Sequence, residues 1–348
     1  MWVYLLILLI PIVLAFRVPG RRYGKFGFIV FYLTLWLFTG LRYEVGPDWT
    51  GYWYMFQGIE ASAWSAILDS REPGFFLIGK IASVTGLGLP GVNAICAALF
   101  LFGLYRFSLT TANPWLATAA VIPFLVFVVS MSGIRQAAAI GLVFTAMASW
   151  RQSSLALKVA LIVMAASIHN SAALMLIFVI WGGGKQPWIR VTIGVAFVAL
   201  MTRYLMDSGA AGVYAQRYLV DNIQSGGAIF HVALSAFPAA LFLVFQRQIK
   251  AHGWDNALIY RASILSLALI PLVFLTSTGA SRLSLYFSFV QMWAFPAFVA
   301  AHGSRWTQAT WICNAYFLAV FLVYFNLGSH AFAYLPYRNV ILEWATNG

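Results

Sequence analysis

Only 9% of this chain is charged, so each ionisable side chain carries information. Arg42, Glu44 and Asp48 crowd into the stretch 41–56, LRYEVGPDWTGYWYMF, beside a Gly46-Pro47 turn and the aromatics Trp49, Tyr52, Trp53 and Tyr54. Arg71 and Glu72 open Arg71-Glu72-Pro73-Gly74-Phe75-Phe76. Arg135 and Gln136 begin an apolar run, and His169, Asn170 and Ser171 interrupt another. Arg282 stands four residues before Tyr286, and Tyr337-Arg338 lie near the C-terminus. Ionisable groups at the ends of membrane spans or within them are costly unless paired or functional. Arginines gathered on one wet face suggest a multiply charged anion, because guanidinium binds phosphate oxygens in bidentate fashion and stays charged. A lipid pyrophosphate fits that depth, with its tail between helices and its sugars against the aromatic loop. No DxD-type pair or His/Cys cluster offers a metal site. The arginines would then neutralise the charge that builds on a departing pyrophosphate.

Each residue also has a structural reading. Arg42 and Arg71 pair equally well with Glu44 and Glu72. Arg135, one turn inside an apolar helix, can snorkel to the interface. His169 with Asn170 and Ser171 can cap a helix–helix turn. Asp48 and Glu44 are candidate bases or arginine partners, and the sequence does not separate the roles.

The elements that must position these residues follow from composition. Hydrophobic residues make up 62%, aromatics 17%, and mean hydropathy is +0.84, which excludes a soluble globular protein. The apolar runs are continuous over roughly 15–20 residues rather than alternating, so they read as helices and not as barrel strands. The expectation is all-α: one polytopic membrane domain over 1–348, with about 12 transmembrane helices plus an external half-helix starting at Pro73, a favourable first helical position. Most Lys and Arg lie in short loops between spans, with Asp255 the one acid among them. That pattern is the positive-inside signature, so the net charge of +12 reads as topology and not as nucleic-acid binding. Cys96 and Cys313 sit in apolar runs as small hydrophobes.

The basic cluster Arg17, Arg21, Arg22 and Lys25 places the N-terminus outside and makes Trp2 to Phe16 a retained span. Loops 41–72 and 205–228 and the tail 328–348 then share the external, active face. Leu155 to Trp181 would be roughly 40 Å long as one helix, too long for a ~30 Å core, so a hairpin turning at His169 is expected.

The motifs Arg42-x3-Gly46-x-Asp48-x3-Tyr52-x3-Phe56, Glu72-Pro73-Gly74-Phe75, Arg135-Gln136-x2-Ala139, His169-x-Ser171-Ala172 and Arg282-x3-Tyr286-Phe287 together resemble the EpsG family, Wzy-like polymerases of exopolysaccharide and O-antigen repeat units. Pro47 departs from the pattern, standing where the family more often has a small polar residue. The resemblance implies a GT-C-like bacterial inner-membrane glycosyltransferase, active at the periplasmic face without cofactor or metal. It would join two undecaprenyl-pyrophosphate-linked oligosaccharides, with a chain-length co-polymerase and a flippase as partners. On this reading Arg42, Arg71, Arg135, Arg282 and Arg338 hold the pyrophosphate, and His169, Asp48 or Glu44 acts as the base. Glu72, Gln136, Tyr52, Trp53, Tyr286 and Tyr337 line the sugar path. The rival readings are a ligase, a lipid-linked oligosaccharide flippase or other transporter, and an O-acyltransferase.

Overall fold

The computed structural model describes residues 1–16, 24–181 and 227–347, with Trp188 and Thr192. Arg17, Arg21, Arg22, the expected span 189–204 and nearly all of the loop 205–228 lie outside the described residues. The described residues are helical apart from turns and one isolated bridge between Arg42 and Asn339. Four helices are long and apolar enough to cross a membrane, and a bent pair makes a fifth; seven shorter apolar helices accompany them. The chain is therefore an all-α protein of the membrane-spanning type.

The elements are α1 (Trp2–Leu14), α2 (Lys25–Gly40), α3 (Trp49–Ala61), α4 (Pro73–Val84), α5 (Gly88–Ser108), α6 (Pro114–Ser132), α7 (Ile134–Ala148), α8 (Leu155–Ile168), α9 (Asn170–Trp181), α10 (Ala228–Val244), α11 (Ala257–Leu275), α12 (Ser277–Tyr286), α13 (Ser288–Ala301), α14 (Trp306–Leu327) and α15 (Val340–Asn347). The most enclosed is α6, which packs against α1, α13 and α14. Asn113 caps its start by accepting from the Leu116 N–H, and Pro114 takes the first helical position. From Ile122 to Val129 its backbone widens into π-type turns, beginning where Pro123 lacks the N–H that an α register would use.

The stretch 41–72, read from sequence as a loop, is largely helical. In α3, Tyr52, Phe56 and Ile59 face inward while Trp53 and Tyr54 stay exposed, an amphipathic surface helix. Lys80 anchors its far end. From α4 its buried Nζ donates to the carbonyls of Glu60 and Ser62, where a cation complements a helix C-terminus. The tail from residue 328 is folded against the same stretch: Tyr43 N donates to Arg338 O (3.0 Å), Gly46 N to Ala333 O (2.8 Å) and Val340 N to Leu41 O (2.8 Å).

Two backbone features place the polar residues. Leu155 to Trp181 is a hairpin, as expected. α8 stops at His169, whose backbone is extended (φ −149°, ψ 113°), and α9 starts as a 3₁₀ turn and packs back on α8. The Arg282 region differs from expectation. Instead of heading a continuous span from Leu283, Arg282 lies inside the ten-residue α12, which breaks from α13 at Phe287 with a 51° bend. Broken helices are tolerated at membrane depth where they line protein or a cavity rather than lipid.

Candidate functional site

Glu72 is the hub. It precedes Pro73 at the start of α4, and its side chain is only 12% exposed. Oε2 accepts from Arg135 Nη1 at 2.5 Å, and Oε1 lies 2.8 Å from His169 Nδ1 and accepts from the Asn170 N–H at 3.2 Å. A buried carboxylate is stable only when its lone pairs are met this way. Burial pushes the Glu72 carboxyl up; the bond from His169, the charge on Arg135 and the Asn170 N–H outweigh it and hold the group below the usual carboxylate range. Gly74 makes the meeting possible, because a Cβ there would lie 2.4 Å from Ser167 Oγ and 3.1 Å from the Ser167 carbonyl carbon. No side chain fits between α4 and the hairpin tip without displacing one of them.

Two nitrogens in the cluster remain free. His169 Nε2 and Arg135 Nε are buried with no hydrogen-bond partner. If Nδ1–H is given to Glu72, the Nε2 lone pair is left without a donor, the arrangement an oriented general base requires. Arg135 lies over the rings of Tyr52 (5.7 Å) and Phe75 (5.6 Å), contacts that fix a guanidinium in place.

The neighbouring residues on these segments bring in α12. Gln136 Nε2 donates to the Arg282 carbonyl at 2.7 Å, and Ser171 Oγ lies 3.0 Å from Tyr286 OH. Arg282 itself is exposed, its charge acts on the nearby Tyr286, and its side chain makes no hydrogen bond or ion pair among the described residues. Four of the five sequence motifs thus converge: Glu72, Arg135 with Gln136, His169 with Ser171, and Arg282 with Tyr286.

The remaining expected site residues are placed differently. Arg42 is 1% exposed, and its guanidinium donates to the carbonyls of Thr39 (2.8 Å), Val45 (3.2 Å) and Met131 (3.0 Å) and to Asn93 Oδ1 (3.3 Å). A phosphate would have to displace those oxygens to reach it, and in this structure Arg42 anchors the 41–48 loop from inside. Glu44 and Arg338 lie apart from the Glu72 cluster. They pair with each other, Arg338 pairs again with Glu343 (2.8 Å), and its guanidinium lies over the Tyr43 ring. This exposed network ties the tail to the loop. Asp48 accepts from Ser132 Oγ at 2.5 Å, three residues before Arg135. Arg71 is exposed, with no side-chain partner among the described residues. Tyr337 stacks on Phe38 (4.2 Å) and donates to its carbonyl. Tyr52 is buried beneath Arg135, and Trp53 is exposed on the outer side of α3. Sequence reading did not single out His231, which lies 2.5 Å from Ser281 Oγ; the only signal was a histidine in the first turn of an apolar helix.

Fold and site define an integral membrane protein whose helix ends and broken helices bring a carboxylate, an imidazole and a guanidinium to one place, with the backbone of Arg282 held beside them. The chain belongs to the EpsG family, a Wzy-like polymerase family, whose model matches residues 25–339; the family resemblance carried by the five motifs is correct. No curated protein and no solved structure matches it significantly.

Proposed function

We propose that the protein is a polysaccharide polymerase that transfers a growing undecaprenyl-pyrophosphate-linked glycan onto a new lipid-linked repeat unit at the periplasmic face of the bacterial inner membrane. The observation that carries this reading is the Glu72–His169 pair with an unpartnered Nε2 beside Arg135. The acceptor hydroxyl gives its proton to His169 Nε2, and its oxygen attacks the reducing-end anomeric carbon of the donor. The bond from that carbon to the pyrophosphate oxygen breaks, and undecaprenyl pyrophosphate leaves with both electrons. Glu72 holds the imidazole in the Nδ1–H tautomer and stabilises the imidazolium. A positioned base of this kind contributes roughly 10²–10⁴ in rate.

Arg282, exposed and without a hydrogen bond or ion pair among the described residues, meets the leaving pyrophosphate, with Arg135 and Arg71 adding positive potential. Asp48 is the alternative base, held by Ser132. Tyr286, Gln136, Trp53 and Tyr337 belong to the sugar path. The twelve-span, GT-C-like arrangement counts the five long spans, the short apolar helices other than α4, and the stretch 189–204. A chain-length co-polymerase and a flippase are the expected partners.

The test is purified protein with synthetic lipid-linked repeat units. Ladders of product mark a polymerase. A single transfer to a different acceptor marks a ligase, and no new bond marks a transporter. His169→Ala and Arg282→Ala should each abolish the ladder; normal ladders from both would overturn the assignment.

A further inference from the structure

The half-helix α12 has only ten residues and is broken from α13, so the next span does not fix its orientation. Packing against α10 and α11 and a set of side-chain hydrogen bonds do. Gln136 holds the Arg282 carbonyl and Ser171 holds the Tyr286 hydroxyl, both from segments that also carry Arg135 and His169. A third tether comes from outside the cluster. His231, in the first turn of α10, places Nδ1 2.5 Å from Ser281 Oγ. Its ring packs at 4.7 Å against Phe124, inside the widened turns of α6. Ser281 is 6% exposed and Gln136 8%, whereas the side chain between them, Arg282, is exposed.

We propose that His231 is a positioning residue for Arg282: through Ser281 it clamps one side of the peptide that Gln136 clamps on the other. The inference rests on the assignment of Arg282 to the leaving pyrophosphate. With the backbone gripped at residues 281 and 282, only the guanidinium must be ordered when a diphosphate binds. A smaller ordering cost appears as tighter binding of the charged group. The wide turns of α6 give this tether a rigid base, because Phe124 belongs to the most enclosed of the four long single spans among the described residues.

The test uses the full-length purified protein, with a short prenyl pyrophosphate as product analogue and competitive inhibitor. His231→Leu removes the hydrogen bond while keeping an apolar side chain of similar bulk. Its inhibition constant should rise about tenfold, the equivalent of one lost hydrogen bond, and kcat should fall with it, because Arg282 acts on the charge that builds on the leaving pyrophosphate. His231→Asn restores a polar atom near the Nδ1 position and should return the constant to within about twofold of the parent. Ser281→Ala, a smaller change that tests the same bond, should match His231→Leu. In an Arg282→Ala background, which makes no polymer, direct titration with the prenyl pyrophosphate replaces inhibition, and neither substitution should weaken that binding further. The proposal fails if His231→Leu and Ser281→Ala lower only the melting temperature, or if their effects add in full to that of Arg282→Ala. If Arg282→Ala itself leaves the directly titrated binding of the prenyl pyrophosphate unchanged, the pyrophosphate assignment fails and takes this proposal with it.

Discussion

Oε1 of Glu72 lies 2.8 Å from Nδ1 of His169, and the opposite nitrogen of that ring is buried without a partner. Ninety-seven residues separate the two in sequence. The contact joins the start of a half-helix to the tip of a hairpin, two places where a backbone break leaves side chains pointing away from helix axes. The carboxylate fixes which nitrogen carries the proton, so the base is set before any sugar arrives.

Glu72→Gln should therefore disable the site while keeping its shape. Glutamine can turn its carbonyl oxygen to Arg135 and its amide to His169 Nδ1. The ring must then carry its proton on Nε2 and can no longer accept one there. Polymer synthesis should fall about 10²-fold or more, and the double variant with His169→Ala should be no worse than His169→Ala alone. Initial rates with synthetic lipid-linked repeat units measure this; additive losses would show that the two residues act separately.

Arg42 and Arg282 should separate stability from activity. Arg42 stays charged at neutral pH even though burial lowers its guanidinium to about 10. Arg42→Leu leaves four oxygens without their donor, and bonds to charged groups are worth roughly 1.5–3 kcal/mol each. The variant should fold poorly, with a sharply lower melting temperature in detergent. Arg282→Ala should melt like the parent and yet make no polymer. An Arg42→Leu protein of normal stability and no activity would return Arg42 to the list of ligands.

Part of this arrangement is legible in the sequence. Charges are so rare that Glu72 before Pro73, Arg135 inside an apolar helix, His169 at the centre of an over-long run and Arg282 before Tyr286 stand out as costly positions, and these are the residues that meet. Their partners are not legible. Arg42 looked like a companion of Glu44, two residues away, but turns inward to backbone carbonyls that no side-chain pattern announces. Glu44 instead meets Arg338, across 294 residues. Glu72 looked like a sugar ligand because hydrogen bonds spanning 63 and 97 residues depend on how helices pack. The break at Phe287 is equally silent, since no proline or glycine marks it.

The depressed Glu72 carboxyl has a consequence for acid stability. A group whose folded pKa lies below its ordinary value of 4.5 contributes stability that is fully present above that value. The contribution is lost as pH falls from there through the lower folded pKa. Melting temperature should hold steady from pH 7 to about 5.5 and then decline, and Glu72→Gln should show a shallower acid limb. Identical acid limbs in thermal melts of the two proteins would mean that Glu72 gains nothing from His169 and Arg135.

The last prediction concerns the helix that delivers Arg135 and Gln136. α7 crosses α5 with backbone against backbone. A Cβ on Gly141 would lie 2.2 Å from the Leu99 carbonyl oxygen and 2.4 Å from Phe100 Cα, and one on Gly103 would lie 1.9 Å from the Gly141 oxygen. Membrane helices associate through such small-residue contacts because lipid offers no hydrophobic drive between them. Gly141→Ala must push the helices apart, at a cost of about 1–3 kcal/mol for overpacking. Gly58→Ala, on α3 with no atom near its would-be Cβ, is the matched control and should melt no lower than the parent. Because Gly141 lies six residues from Arg135 on the same rigid helix, the displacement should also loosen the Arg135–Glu72 contact and lower polymer yield at temperatures where the protein remains folded. Melting curves and activity for both variants decide the point: if Gly141→Ala tracks Gly58→Ala in both, the crossing does not set the position of Arg135.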